Sequence, residues 1–346
     1  MNMRHSIQVA ALTGGKNEPS ARFRVRQLIP ELSQHGVDMH EFIPSISMYP
    51  PESKWLRPFW GAAALGVRIP AVFKTNFYDV VVLQRELIST FLTLEPLTKR
   101  PRVLDVDDAI FLHRGGIFAK KLAHLSDLII CGNSFLAEHF SKWNENTVII
   151  PTAIDTRRYT PRTRNRYSQD NPVIGWIGTK GNFKYLYLIE HALKKVVMAE
   201  PNVTFRVVAD KEPEFQGELK KRLEFIRWSP ETEVPSLQTM TVGIMPLAET
   251  EWEKGKCSFK MLQYMACGVP VVVSPIGMNI QVLSMGDIGL SAKSQDEWAD
   301  ALLKLLSLDE SEREKMGLIG RHVVEQYFST DVIAPLLAAE LKKLVS

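Results

Sequence analysis

The amino-acid sequence predicts an α/β protein made of two tandem Rossmann-like, doubly wound domains. Three observations carry this. Short β-branched runs alternate with helical patterns along the chain, the mark of parallel sheets with helices on both faces. The alternation lapses into one polar, aperiodic stretch and then restarts. The chain has 346 residues, more than one ordinary core fills. Two such domains in tandem predict a ligand cleft between them, at the carboxyl ends of their strands.

In the first half the apolar runs predict strands over Ile7–Leu12, Met39–Ile43, Asp79–Leu83, Val103–Val106, Leu128–Cys131 and Val148–Ile150. Helical spacing is expected over Ala21–His35, Trp60–Thr75, Glu86–Leu94, Ile117–His124 and Ser134–Lys142, with Asn133 or Ser134 as a cap. The second half predicts strands over Val173–Ile177, Val203–Val208, Leu223–Ile226, Val242–Met245, Val269–Val273 and Ile288–Leu290. Its helices are expected over Lys184–Met198, Phe259–Cys267, Ser294–Leu306 and Ser311–Tyr327. The expected division is 1–158, a linker over 159–172, a second domain over 173–327, and 328–346 with a last helix over Thr330–Leu344. The linker is polar, rich in arginine, and bounded by Pro161 and Pro172.

Composition narrows the function classes. Apolar residues make up 45% and charged residues 23%, as in globular proteins. The first 160 residues hold 19 Lys and Arg against 15 Asp and Glu; the remainder hold 23 against 24. So mild a basic surplus argues against nucleic acid as the main partner, and leaves an anionic membrane surface open. Cys131, Cys257 and Cys267 match no zinc spacing, and a reducing compartment is expected. The first residues run straight into a strand, with no signal-peptide pattern, and no run has the 18–20 apolar residues of a membrane span. The expectation is a cytoplasmic protein, with a peripheral contact on the inner face of the plasma membrane open.

The most informative stretch is Gly255–Ser274, read as loop, helix, glycine stop and buried strand. Ser258 is expected to cap the helix and Gly268 to end it. Lys256 and Lys260 flank the cap, where cations oppose the helix dipole, so a compensating anion such as a diphosphate is expected. The run Gly178-Thr179-Lys180-Gly181-Asn182-Phe183-Lys184 repeats that logic: strand, glycine loop, helix start. Its backbone N–H groups with Lys180 or Lys184 can grip phosphates. Arg227-Trp228 follows a strand and can flank a flat base, or simply pack.

Gly14-Gly15 follows the first strand and serves either a tight turn or close approach to a ligand; the third glycine of a dinucleotide fingerprint is missing, which disfavours an NAD enzyme. On a regular helix Arg22 and Arg26 share a face. Arg22 is the candidate anion contact, and Arg24 is expected to be solvated. Asp105-Val106-Asp107-Asp108 ends a strand. Such carboxylates can hold a divalent cation, bind a sugar, act as base on an acceptor hydroxyl, or cap a helix. Residues Tyr49–Tyr78 mix Trp55, Phe59 and Trp60 with Arg57, Arg68 and Lys74, which fits either a membrane contact or ordinary packing.

Five blocks resemble the retaining group-1 glycosyltransferase family with the two-Rossmann-domain GT-B fold: Asp127–Ser134, Val148–Asp155, Ile174–Gly178, Gly243–Leu247 and Leu262–Val273. The resemblance implies a nucleoside-diphosphate sugar as donor on the second domain, with no obligatory cofactor or metal. It implies a saccharide or lipid-linked saccharide acceptor on the first, as in bacterial surface glycan synthesis, and a final helix crossing back to the first domain. It assigns Asp107 and Asp108 to catalysis, in the region where the family has a histidine. Lys184, Lys256, Ser258, Lys260, Gly178 and Thr179 are assigned to the donor diphosphate; Gln263, Arg227 and Trp228 to the nucleoside; Gly14, Gly15 and Arg22 to the acceptor side. The sequence departs from the family at Gln263 and Gly255, where two glutamates are common, and at Thr179, where an arginine is common. The alternatives are a nucleotide-sugar 2-epimerase-like enzyme and a catalytically silent nucleotide-sugar-binding partner.

Overall fold

The structure is a computed structural model and describes residues 6–162 and 171–345. Residues 163–170, most of the expected linker, lie outside the described residues. The chain forms two compact units. The first comprises Met1–Ala153, Gly255–Cys257 and Thr330–Ser346; the second comprises Ile154–Lys254 and Ser258–Ser329.

The first unit holds a six-stranded parallel sheet: β1 Ile7–Leu12, β2 Val37–Phe42, β3 Val80–Gln84, β4 Arg102–Val106, β5 Leu128–Cys131 and β6 Thr147–Ile149. Their order is β2-β1-β3-β4-β5-β6. The winding direction reverses between β1 and β3, which puts the loops after those strands at the switch point where such folds bind ligands. Strands β3, β4 and β5 are buried along their length, as sheets covered on both faces require. The core packs Val9, Val80, Val103 and Ile130 against Leu32 and against Ile333, Leu337 and Leu341 of the last helix, Thr330–Lys343.

The second unit repeats the plan with β7 Val173–Ile177, β8 Thr204–Ala209, β9 Leu223–Arg227, β10 Val242–Met245, β11 Val271–Val273 and β12 Gly289–Ser291. The order is β12-β11-β10-β7-β8-β9, so the switch point lies between β7 and β10. Helix Phe259–Ala266 is clamped to this sheet through Tyr264, whose hydroxyl accepts from Ile177 N at 3.0 Å and donates to Ile244 O at 3.2 Å. Gly268 ends that helix with φ +70°, the left-handed stop expected of it.

All twelve strands form where the apolar runs predict, within two residues at either end. The helices differ more. Residues 86–94 form no helix: the Glu95 carboxylate takes the N–H groups of Leu87 at 2.8 Å and Thr93 at 2.5 Å, the second a donor that a helix would have used. The segment from Ala21 is a π turn to Val25, a 3-10 turn to Leu28, and an α-helix only over Ile29–Gln34. The expected helix Lys184–Met198 breaks at Ile189 into Phe183–Leu188 and Glu190–Ala199. Tyr159, placed in the linker by its polar surroundings, is buried in the second unit, 1% exposed.

Candidate functional site

In the first unit the polar groups gather at the carboxyl ends of β1, β3 and β4. Arg85 directly follows β3 and adopts φ +61°, a left-handed conformation that costs an L-residue about 1–2 kcal/mol. The turn aims its guanidinium at the residues after β4. Nε lies 2.6 Å from Asp107 Oδ1, and Nη2 lies 2.5 Å from Asp108 Oδ2 and 2.9 Å from Ser20 Oγ. Lys256 Nζ lies 3.5 Å from the other oxygen of Asp108. Burial by itself raises the Asp107 pKa, but Arg85, the Ser20 hydroxyl and Arg24 outweigh it and hold the carboxyl below its ordinary value. Asp107 therefore rests as an ionised carboxylate able to accept a hydrogen bond or a proton.

Beneath this group lies a second pair. Arg24 and Asp105 are 6% and 5% exposed. Arg24 Nε is 3.2 and 3.1 Å from the two carboxylate oxygens, and Nη1 donates to Ile150 O at 2.7 Å. This corrects the expectation that Arg24 is solvated. The five-residue π turn breaks the 3.6 period, so the face-sharing rule for residues 22 and 26 does not apply. Arg22 lies over the Phe23 ring, 4.5 Å from its centroid. Gly14 is buried, and a Cβ there would meet Met48 Sδ at 2.6 Å; close packing explains that glycine without a ligand.

The segment Gly255–Cys257 belongs to this same unit. Asn133 caps helix Ser134–Phe140 with its side-chain oxygen and donates its amide to Lys256 O at 3.1 Å. Cys257 Sγ donates to Asp107 O at 3.4 Å. Two glycines admit this close approach: a Cβ on Gly132 would lie 2.3 Å from Cys257 Sγ, and a Cβ on Gly255 would lie 2.8 Å from Ala109 N. The glutamate that the family resemblance leads one to expect at 255 has no room. Arg24, Arg85, Ser20 and Asn133 were missed by the sequence reading. Arg85 carried the signal used for the aspartates, a charge directly after an apolar strand.

In the second unit the loop after β7 sits at the switch point, but much of its backbone is spent. Gly178 N donates to Val208 O at 3.0 Å, Lys180 N to Asp210 Oδ1 at 2.6 Å and Asn182 N to Thr179 O at 2.9 Å. The side chains of Thr179 and Lys184 are exposed. Lys184 Nζ lies 3.8 Å from Glu253 Oε1, a buried carboxylate that also accepts from the hydroxyls of Tyr185 and Thr250. Lys260 Nζ lies over the Trp176 ring at 5.7 Å.

One expectation here is corrected. Ser258 has φ +52° and does not cap its helix; its hydroxyl donates to Asn279 Oδ1 at 2.7 Å. Gln263 is 4% exposed and donates its amide to Tyr159 OH at 3.2 Å and Glu233 Oε1 at 3.1 Å. Arg227 ends the edge strand β9, and Trp228 follows it, its N–H donating to Ala209 O at 2.9 Å, one residue before the Asp210 that accepts from Lys180 N. Among the described residues no three His, Cys, Asp or Glu side chains group as a metal site.

Residues 171–308 match the family model described as glycosyl transferases group 1. A search of curated protein sequences returned no match. Solved structures with the same fold include the sucrose-phosphate synthase of Thermosynechococcus elongatus, at 15% identity and TM-score 0.72 over 98% of this chain and 99% of that one. HepE of Anabaena, solved with UDP and glucose, aligns at 16% identity and TM-score 0.71 over 98% and 100%. WaaG, a glycosyltransferase involved in lipopolysaccharide biosynthesis, aligns at 12% identity and TM-score 0.65 over 96% and 99%. With two parallel six-stranded sheets and this alignment over nearly the whole chain, the protein has the GT-B fold, and its residues 171–308 match the group 1 glycosyltransferase model.

Proposed function

We propose that the protein transfers a sugar from a nucleoside-diphosphate sugar to a saccharide or lipid-linked saccharide, with retention of configuration, on the cytoplasmic side of bacterial surface glycan assembly. The observation that carries the reading is a group 1 domain whose switch-point loop leads into Lys184, with Lys260 on helix Phe259–Ala266 of the same unit. HepE, of the same fold, was solved with UDP and glucose, and WaaG acts in lipopolysaccharide biosynthesis. Lysine charge and helix N–H groups stabilise negative charge as it develops on a departing diphosphate. The sugar passes through an oxocarbenium-like state, and the acceptor hydroxyl attacks on the face the diphosphate leaves. Asp107 and Asp108 orient that hydroxyl and accept its proton without an obligatory metal. A lipid-linked acceptor is met at a membrane surface through weak contact with anionic lipid.

Asp107→Asn is expected to lower turnover at least about a hundredfold, measured as nucleoside-diphosphate release with a saccharide acceptor. Full activity of both Asp107→Asn and Asp108→Asn overturns this role, and loss of activity on chelation overturns the metal-free reading. Lys256→Ala and Lys260→Ala are each expected to weaken nucleoside-diphosphate binding by about 1.5–3 kcal/mol in calorimetry, with nucleoside affinity unchanged. Unchanged diphosphate affinity in both moves the donor site elsewhere.

A further inference from the structure

Helix Arg57–Lys74 of the first unit is apolar on the side that faces away from the protein. Its inner face is short: only Ala64, Arg68 and Val72 are buried. Arg68 points inward and donates to Thr13 O at 3.2 Å. From Pro58 to Val67 no residue is polar. On the outer side, Phe59 is 72% exposed and Phe73 60%, with Ile69 between them. The flanks continue the stripe, with Trp55 71% exposed before the helix and Phe77 84% exposed after it. Residues 59, 63, 66, 70, 73 and 77 follow the three- and four-residue steps of one helix face. The stripe runs the length of 18 residues, about 27 Å. Scattered exposed apolar residues are ordinary, whereas a contiguous stripe this long marks a binding surface.

The charges around it select the occupant. From Ser53 to Tyr78 there is no Asp or Glu. The cations besides Arg68 are Lys54, Arg57 and Lys74, all exposed and set at the two ends of the stripe. An apolar face rimmed by cations and free of acids is complementary to acyl chains beneath anionic headgroups. No helix among the described residues is long and apolar enough to cross a membrane, so this helix lies in the interface plane. We infer that the outer face of Arg57–Lys74, with Trp55 and Phe77, inserts into the surface of an anionic bilayer. The inference deepens the lipid-linked acceptor reading and rests on it for its biological sense; its test reads binding alone and uses no sugar transfer.

The full chain is sedimented with vesicles of phosphatidylcholine, with and without phosphatidylglycerol, at low and high salt. The chain is expected to pellet with the anionic vesicles at low salt and to be released as salt rises. The double variant F59E/F73E is expected to partition at least about tenfold less, because two inserted rings become charges. Both substituted positions are exposed, so its thermal melt should match the parent, and Lys74→Glu, which leaves the rings intact, should weaken binding in the same direction. Failure of the parent chain to bind anionic vesicles overturns the inference. Equal binding by F59E/F73E overturns it too. So does concentration-dependent self-association that F59E/F73E abolishes in a parent that binds no vesicle, since a second copy would then be the occupant. Vesicle binding without any glycosyl transfer would leave the inference standing and overturn the proposed activity alone.

Discussion

Arg24→Ala is expected to destabilise the first unit by about 3–5 kcal/mol in urea unfolding, the cost of leaving a buried charge without its partner. The pair it breaks is among the least exposed in the protein, with side chains 3% and 7% accessible. Asp105 would remain beneath β4 with no cation to offset its desolvation. The loss also frees Ile150 O and undoes the tie between the turn after β1 and the end of β6. Burial already raises the Asp105 pKa, with Arg24 opposing it, and removing Arg24 raises it further. The variant's deficit should therefore shrink as pH falls and Asp105 takes up a proton, and widen toward neutral pH. The double variant Arg24→Leu/Asp105→Leu should recover most of the stability, because both charges leave together. A deficit independent of pH would mean that Arg24 acts through packing alone.

Arg85→Ala is expected to cost a similar 3–5 kcal/mol and to abolish turnover. It leaves two adjacent carboxylates, Asp107 and Asp108, with Lys256 the remaining close cation on Asp108. Arg85→Gly loses the same charge and relieves the strain at φ +61°, so it should be more stable than Arg85→Ala by about 1 kcal/mol. In the parent, Asp107 titrates below its ordinary value of 3.8. It therefore adds stability above that pH, and the gain is lost as pH falls through its folded value. Without Arg85 this dependence should vanish from an acid-unfolding series. Unfolding curves of the two variants that superimpose would remove the argument for strain.

The central strands were legible because a buried parallel strand needs an apolar, β-branched run, as in Val80–Gln84, Leu128–Cys131 and Val271–Val273. Glu86–Leu94 looked helical because its apolar spacing is helical, but Glu95 competes for its backbone from outside that window. Arg24 was read as solvated because a π turn inserts an extra residue into the period, and no local pattern announces it. The aspartates after β4 could be singled out, since strand ends are visible in sequence. Their partner Arg85 stands 22 residues away from Asp107, and strand order, which brings β3 beside β4, is not a local property. Gly255 read as the loss of an acid. The space around it, closed by Ala109, exists only in the folded chain.

The last helix carries a consequence for how the protein is made. The first-unit core includes Ile333, Ala334, Leu337, Ala338 and Leu341, residues that leave the ribosome long after the strands they cover. Between synthesis of Ala153 and of Thr330 roughly ten to thirty-five seconds pass, and the nascent sheet waits through them with that apolar face unfilled. The intervening unit can finish first. When it does, Ile154 and Ser329 pair as a β-bridge, with Ile154 N donating to Phe328 O at 2.8 Å. Its two ends then lie side by side, which pays in advance the loop-closure entropy of bringing the final helix back to a strand made long before. Assembly order is thus written into the nesting: the inserted unit folds, and the sheet made before it is completed by the helix made after it.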